Sequence, residues 1–153
     1  MSAQAAFVCL PVSPADLEDL CEIRVQAMQP SLARLGRFDD ARARQRFRDQ
    51  FQPAFTWLIS VNDTRAGFYC LIRQDKAFYL QNLYLLPAMS GQGLGSAVLQ
   101  SILAQADSAG LPVHLEVLIE SDAARFYERH GFAKLREDGV DLYYQRAAAV
   151  LQP

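Results

Sequence analysis

Three glycines at alternate positions, Gly91, Gly93 and Gly95, lie where one kind of apolar pattern gives way to another. Before them, Leu80 to Leu86 reads as a strand that ends at Pro87. After them, Leu94, Val98, Ile102 and Ala106 recur at helical spacing, and Leu99 and Leu103 widen the stripe. The chain is thereby committed to a strand–turn–helix unit. Residues without Cβ atoms allow close backbone approach, and an opening helix points its unpaired N–H groups outward. Such a turn attracts a phosphate or pyrophosphate. It is equally a plain tight turn, and spacing alone leaves both readings standing.

The stretch half-matches a dinucleotide fingerprint as Gly91-x-Gly93-x-x-Ser96, with Glu116 twenty residues further on. The third glycine is missing, however, and Pro87 interrupts the junction. The chain is also too short for two mononucleotide-binding halves. A P-loop is excluded, since no Gly-Lys-Ser/Thr follows.

The residues Leu83-Tyr84-Leu85-x-Pro87, followed by Gly91-Gln92-Gly93-Leu94-Gly95, resemble a signature of the GNAT (GCN5-related N-acetyltransferase) superfamily. The resemblance implies that the turn Ser90, Gly91, Gln92, Gly93, Leu94, Gly95 and Ser96 holds the pyrophosphate of acetyl-coenzyme A. It implies that the strand edge at Leu83, Tyr84 and Leu85 pairs with the pantetheine arm. Ser90 departs from the family pattern, which has Arg or Gln in that slot.

A second run, Ala123-x-x-Phe126-Tyr127-Glu128-Arg129-His130-Gly131-Phe132, is similar to the family's late signature. That signature usually opens with an Asn three residues before the Ala; here the place falls on Glu120, or on Ser121 if the loop is one residue shorter. The two runs cover roughly residues 77 to 132, and the N-terminal third matches in element order only.

The whole chain of 153 residues suits one domain, residues 1 to 153, with a proper core. With 51% hydrophobic and 21% charged residues it has an ordinary globular composition. A net charge of −2 and a pI near 5.6 argue against a nucleic-acid-binding module. Cys9, Cys21 and Cys70 are odd in number and form no C-x-x-C, which points to free thiols in a reducing compartment. His114 and His130 are the two histidines, far apart, so no metal is expected. The N-terminus has no basic n-region, and no stretch approaches the ~20 apolar residues of a membrane span. A cytoplasmic protein without a membrane or nucleic-acid partner is expected, as a monomer or homodimer.

In order, Ala6 to Val12 reads as a strand, and Ser13-Pro14-Ala15-Asp16 as a helix start with a serine cap and proline in the first turn. That helix is expected to close at Pro30, with Ser31 to Phe38 irregular. Asp39-Asp40 opens a second helix to about Gln50. Its arginines at steps of two turn about 200° apart, so Arg42 and Arg46 share one side while Arg44 and Arg48 share the other. A solvated helix compensated by Asp39, Asp40 and Asp49 is expected rather than a basic patch.

Phe55 to Val61, Ala66 to Arg73 and Ala77 to Leu86 follow as antiparallel strands, the first two flanking the turn Asn62-Asp63-Thr64-Arg65. Val113 to Ile119 is a strand reached by a helical crossover, so it can lie parallel to the strand before it. A short helix from Asp122 to His130 stops at Gly131, and Phe132 to Arg136 with Asp141 to Arg146 makes a hairpin. The order β-α-α-β-β-β-α-β-α-β-β defines an α/β (α+β) domain with a mixed sheet. The resemblance adds the GNAT-like fold: mostly antiparallel, helices on both faces, the parallel strands splaying to admit the cofactor.

Moving an acetyl group from a thioester to an amine needs a neutral amine and a proton for the departing thiolate. A tyrosine hydroxyl is protonated at neutral pH and can donate. The resemblance gives that role to Tyr127; the spacing of Ala123, Phe126, Tyr127 and His130 alone describes a packed helix face. Glu116, opposite the apolar face of its strand, is the best carboxylate for the base, and it shares its side with His114. Glu120 or a water chain are alternatives. Gln81 and Asn82 stand where some members carry a strand-four acid, and can orient the acceptor. On the acceptor side the family uses the first two helices and their connection, which singles out Arg37 and Phe38 as substrate-binding candidates alongside Gln81. A small-molecule amine and a protein or peptide amine both stay open. The activity implied is acetyl-coenzyme A-dependent N-acetyl transfer; a coenzyme-binding module without catalysis is the alternative.

Overall fold

The computed structural model describes residues 6–34, 40–119 and 121–149. After strand β1 (Val8–Pro11), the Asp16 carboxylate accepts from the Ser13 N–H at 2.8 Å. This fixes a 3-10 turn over Pro14–Asp16 that leads into helix α1 (Leu17–Arg34). Pro30 does not close α1, contrary to expectation; the helix runs on through it for one more turn. A proline removes one helical hydrogen bond. Here the preceding turns are fastened by the buried Leu20, Cys21, Ile23 and Val25, so the loss near the end is tolerated.

Helix α2 (Asp40–Gln50) is followed by strands β2 (Thr56–Val61), β3 (Thr64–Arg73) and β4 (Phe78–Leu85). Helix α3 (Leu94–Ala109), strand β5 (Val113–Leu118), helix α4 (Ala123–Arg129) and strands β6 (Ala133–Glu137) and β7 (Asp141–Arg146) complete the order read from the sequence. The sheet runs β1-β2-β3-β4-β5-β7-β6. β4 and β5 are parallel, as the crossover length requires, while β1–β2, β2–β3, β5–β7 and β6–β7 are antiparallel.

The chain divides into two compact units, Met1–Cys70 with Asn82–Ala97, and Leu71–Gln81 with Val98–Pro153. In the first, β2 and β3 are joined by Asn62 and Asp63, whose φ values of 51° and 61° are left-handed. This two-residue turn matches strand twist, and it is shorter than the four residues expected: Thr64 already pairs with Val61. The core gathers Leu20, Cys21, Ile23, Phe47 and Phe68, against which Leu17, Leu58 and Tyr84 pack. Two of the α2 arginines reach glutamates of α1, which the sequence reading did not include, while Asp39 lies outside the described residues. Arg44 pairs with Glu22 at 2.7 Å and Arg48 with Glu18 at 2.9 Å. Arg44 and Arg48 share one side of α2, and packing against α1 brings the glutamates to that side.

In the second unit, β5 alternates as read, with Val113 and Leu115 buried and Glu116 exposed. The buried Val98, Leu99, Ile102, Leu103 and Ala106 form the predicted stripe of α3, each large side chain contributing about 1.5–3 kcal/mol. A bidentate pair from Arg146 to Asp107, at 2.8 and 3.1 Å, ties β7 to α3. Cys9, Cys21 and Cys70 are all free; Cys21 and Cys70 are buried, which pushes both thiols up, and Cys9 is half-buried. Among the described residues no helix is long and apolar enough to cross a membrane.

Candidate functional site

The glycine turn is built from its backbone. After β4, a 3-10 turn at Pro87–Met89 reverses the chain, closed by the Met89 N–H on the Leu86 carbonyl at 2.8 Å. Ser90, in the slot where the family has Arg or Gln, turns its hydroxyl back to donate to the Pro87 carbonyl at 2.9 Å. Gly91 and Gly93 then take φ values of +79° and +81°, which L side chains rarely adopt. A Cβ built on either would meet nothing within 4 Å, so the space over the turn is open. The first hydrogen bond into α3 is from the Ala97 N–H to the Gly93 carbonyl at 3.0 Å. The N–H groups of Leu94, Gly95 and Ser96 therefore open the helix without intrahelical partners. Open space over an exposed turn and N–H groups at a helix start fit an anion such as a pyrophosphate. Leu94 contributes its backbone only, since its side chain is buried in the core.

On β4, Leu83 and Leu85 are half-buried. The Tyr84 ring belongs to the core, 5.6 Å from the Phe68 ring. Sequence reasoning passed over Gly67 on β3: a Cβ there would stand 2.1 Å from the Tyr84 carbonyl oxygen, so this residue allows the close approach of β4.

The second unit holds the titratable candidates. Glu116 on β5 accepts a hydrogen bond from the Tyr79 hydroxyl on β4 at 2.6 Å. Tyr79 pairs in register with His114, which places its side chain on the Glu116 side of the sheet. Burial, then Glu116 itself, pushes the Tyr79 hydroxyl well above the ordinary tyrosine range, so it stays a proton donor. Tyr143 lies opposite Glu116 on β7, donates to Asp138 at 2.8 Å, and carries the Arg136 guanidinium 3.7 Å over its ring. Tyr79 was missed because its partner comes from a strand distant in sequence; its place two residues before Gln81 on one strand face was the available signal.

Tyr127 on α4 is buried at 7% exposure, with its ring 5.1 Å from Phe126 and 5.4 Å from Phe132. The packed helix face is real: His130 Nδ1 lies 2.9 Å from the Phe126 carbonyl oxygen, and its ring contacts that of Phe126. The Ser121 hydroxyl is buried without a partner among the described residues. Gln81 is half-buried on β4. Arg37, Phe38 and Glu120 lie outside the described residues. Among the described residues, no group of three His, Cys, Asp or Glu side chains could hold a metal ion.

The family model described as an acetyltransferase (GNAT) domain matches residues 52–134, more than half of the chain. The chain belongs to the GNAT acetyltransferase family, and is an N-acetyltransferase with acetyl-coenzyme A as donor. No curated protein matches it in sequence. Solved structures share the fold. The PaiA N-acetyltransferase of Thermoplasma acidophilum, in complex with coenzyme A, is 19% identical with a TM-score of 0.77, covering 93% of this chain and 99% of its own. The ribosomal-protein-S18-alanine N-acetyltransferase of Escherichia coli is 19% identical with a TM-score of 0.71, covering 96% and 97%. An acetyltransferase of Thermus thermophilus is 18% identical with a TM-score of 0.73, covering 94% and 98%.

Proposed function

We propose that the chain acetylates a primary amine by direct attack, with Glu116 as the proton acceptor and Tyr127 as the proton donor. The observation that carries the donor side is the left-handed turn at Gly91 and Gly93, open above and leading into the unpaired N–H groups of α3. Acetyl-coenzyme A supplies the thioester: its acyl carbon gains the bond to nitrogen and its sulfur leaves as thiolate.

The chain's own residues move the protons. An ammonium must become a neutral amine, and Glu116, an exposed carboxylate already oriented by the Tyr79 hydroxyl, takes that proton directly or through water. The Tyr127 hydroxyl gives a proton to the thiolate, and its ring is locked for the purpose between Phe126 and Phe132. The nitrogen loses two protons, one to Glu116 before attack and one to water as the carbon–sulfur bond breaks; the thiolate takes one from Tyr127, which regains its own from water, so one proton is released to solvent overall. Ser90, Gly91, Gln92, Gly93, Gly95 and Ser96 hold the pyrophosphate, and the backbone of Leu83 to Leu85 receives the pantetheine arm. Gln81 orients the acceptor.

The test pairs a melting curve with an amine-panel assay for thiol release. Acetyl-coenzyme A at 100 times its dissociation constant is expected to add about 2.7 kcal/mol of stability, and NAD none. Stabilisation without thiol release on any amine would overturn the catalytic roles.

A further inference from the structure

Strand β6 is an edge of the sheet, and it carries a bulge. Ala133 faces Gln145 and Lys134 faces Tyr144, but Arg136 rather than Leu135 faces Tyr143. Leu135 is the extra residue and stands 57% exposed. In an unbroken ladder Arg136 would lie opposite Leu142, on the side of the sheet where Leu142 and Tyr144 are buried. The bulge turns it to the other side, which carries Glu116, the register partner of Tyr143 on β5. Bulges recur where a side chain is re-aimed. Lys134 and Glu137, paired at 3.4 Å, already guard the edge against a passing strand.

What the bulge aims is a guanidinium held still with its donors free. The Arg136 guanidinium carbon lies 3.7 Å from the centre of the Tyr143 ring. At that separation the planar group lies flat on the ring, and its N–H groups point outward in its own plane. Among the described residues, none of them meets a hydrogen-bond acceptor or an ion-pair partner. The nearby Asp138 is engaged: its Oδ1 accepts from the Val140 and Asp141 N–H groups at 3.0 and 2.8 Å. Its Oδ2 accepts from the Tyr143 hydroxyl at 2.8 Å, which fixes the ring on which the guanidinium rests. An arginine stacked in this way loses little further freedom when an anion docks, and its fork fits a carboxylate or a phosphate.

Arg136, Tyr143 and Glu116 form one row across β6, β7 and β5, all within the second compact unit. Backbone to backbone the two charged residues are two strand spacings apart, about 10 Å, with Tyr143 between them. Both act on the Tyr143 hydroxyl. The hydrogen bond to Asp138 and burial push it up, Glu116 pushes it further, and Arg136 draws it down.

We propose that Arg136 anchors an anionic group of the acceptor, so that the amine presented to Glu116 belongs to a molecule with a carboxylate or phosphate a few carbons away. This rests on Glu116 as the proton acceptor and narrows the class of acceptor. Arg136 is a specificity residue, and Tyr143 is the floor between the two ends of the acceptor.

The test uses the whole chain and paired probes: 4-aminobutyrate with butylamine, and O-phosphoethanolamine with ethanolamine. Coenzyme A is a separate arm. Arginine Nε–H resonances and calorimetric titration are followed, with a melting curve for each variant. The Arg136 resonance is expected to move with the anionic member of a pair and not with the plain amine; the pair that responds tells carboxylate from phosphate. The anionic member should bind roughly tenfold tighter, and added salt should narrow that gap because both ends are exposed. Arg136→Gln should close the gap, and Arg136→Lys, which keeps the charge but loses the planar fork, should close it in part. If Arg136→Gln does not fold, the paired probes on the parent protein decide the matter. Equal responses within both pairs, or none, would overturn the proposal and leave Arg136 a further guard of the sheet edge. Movement with coenzyme A alone would overturn it too, assigning the guanidinium to the donor's phosphates. Thiol release keeps the underlying reading separate: a Glu116→Gln variant that turns over like the parent sinks the base assignment. A slow Glu116→Gln variant with an Arg136 that answers no anionic probe sinks the anchor alone.

Discussion

The Tyr79 hydroxyl is hydrogen-bonded to the Glu116 carboxylate at 2.6 Å, across the only registered stretch of parallel β4–β5 pairing among the described residues. That stretch is two pairs long, Phe78 with Val113 and Tyr79 with His114. Tyr79 thus fixes a carboxylate that would otherwise swing freely on an exposed strand face.

Glu116→Gln is expected to lower turnover by about 10²–10⁴ if Glu116 is the base. Tyr79→Phe should lower it by roughly tenfold, the worth of one hydrogen bond to a charged group. Because both act through one carboxylate, the double variant should be no slower than Glu116→Gln alone. Steady-state rates that multiply would show that Tyr79 acts on something else.

Tyr127→Phe keeps the ring packed against Phe126 and Phe132 and removes only the hydroxyl. Stability should fall by about 1 kcal/mol or less, while turnover falls by about 10²–10⁴, equivalent to about 3–5 kcal/mol of barrier. Turnover within threefold of the parent, with chemistry limiting, would leave Tyr127 a packing residue.

Gly93 and Gly95 should respond oppositely to alanine. At Gly93 the φ of +81° imposes about 1–2 kcal/mol of strain, and a methyl enters the open space over the turn, so coenzyme A should bind less tightly. Gly95 lies within α3, where alanine is favoured by about 0.5–1 kcal/mol. Calorimetric titration with coenzyme A and melting curves separate the two effects.

Gly67→Ala should destabilise the fold by about 3 kcal/mol, since the atom it meets is the backbone oxygen of Tyr84 and not a movable side chain. Denaturant unfolding measures this; a loss under about 0.5 kcal/mol would mean that β3 and β4 can part without penalty.

Asp138 gives the acid response. N–H groups of Asp141 and Val140 and the Tyr143 hydroxyl hold its carboxylate down to about 2. A group with a lowered folded value stabilises the fold above its ordinary value of 3.8, and that contribution is lost as pH falls from there toward 2. Asp138→Ala should flatten the pH dependence of melting in that window and leave it unchanged near neutrality.

Much of the fold was legible because it rests on local patterns. The α3 stripe, the alternation of β5, the order of eleven strands and helices and the glycine turn all follow from spacings within a few residues. Pro30 misled because a local rule for helix ends yields when the preceding turns are already packed. The sidedness of the α2 arginines was readable, but the glutamates that meet Arg44 and Arg48 sit on another helix.

By itself the sequence determined the strand–turn–helix around Gly91 to Gly95, because glycine placement and helical periodicity are properties of neighbouring residues. It also supplied Glu116 and Tyr127 as groups of suitable chemistry. Only the tertiary structure decided which groups meet. Tyr79 reaches Glu116 because β4 and β5 pair in parallel, Gly67 is needed because β4 passes close to it, and Arg44 and Arg48 meet Glu22 and Glu18 because α2 packs on α1. Each of these depends on packing between segments far apart along the chain, and the hydrophobic forces that bring such segments together act on buried area and carry no directional signature in a local spacing.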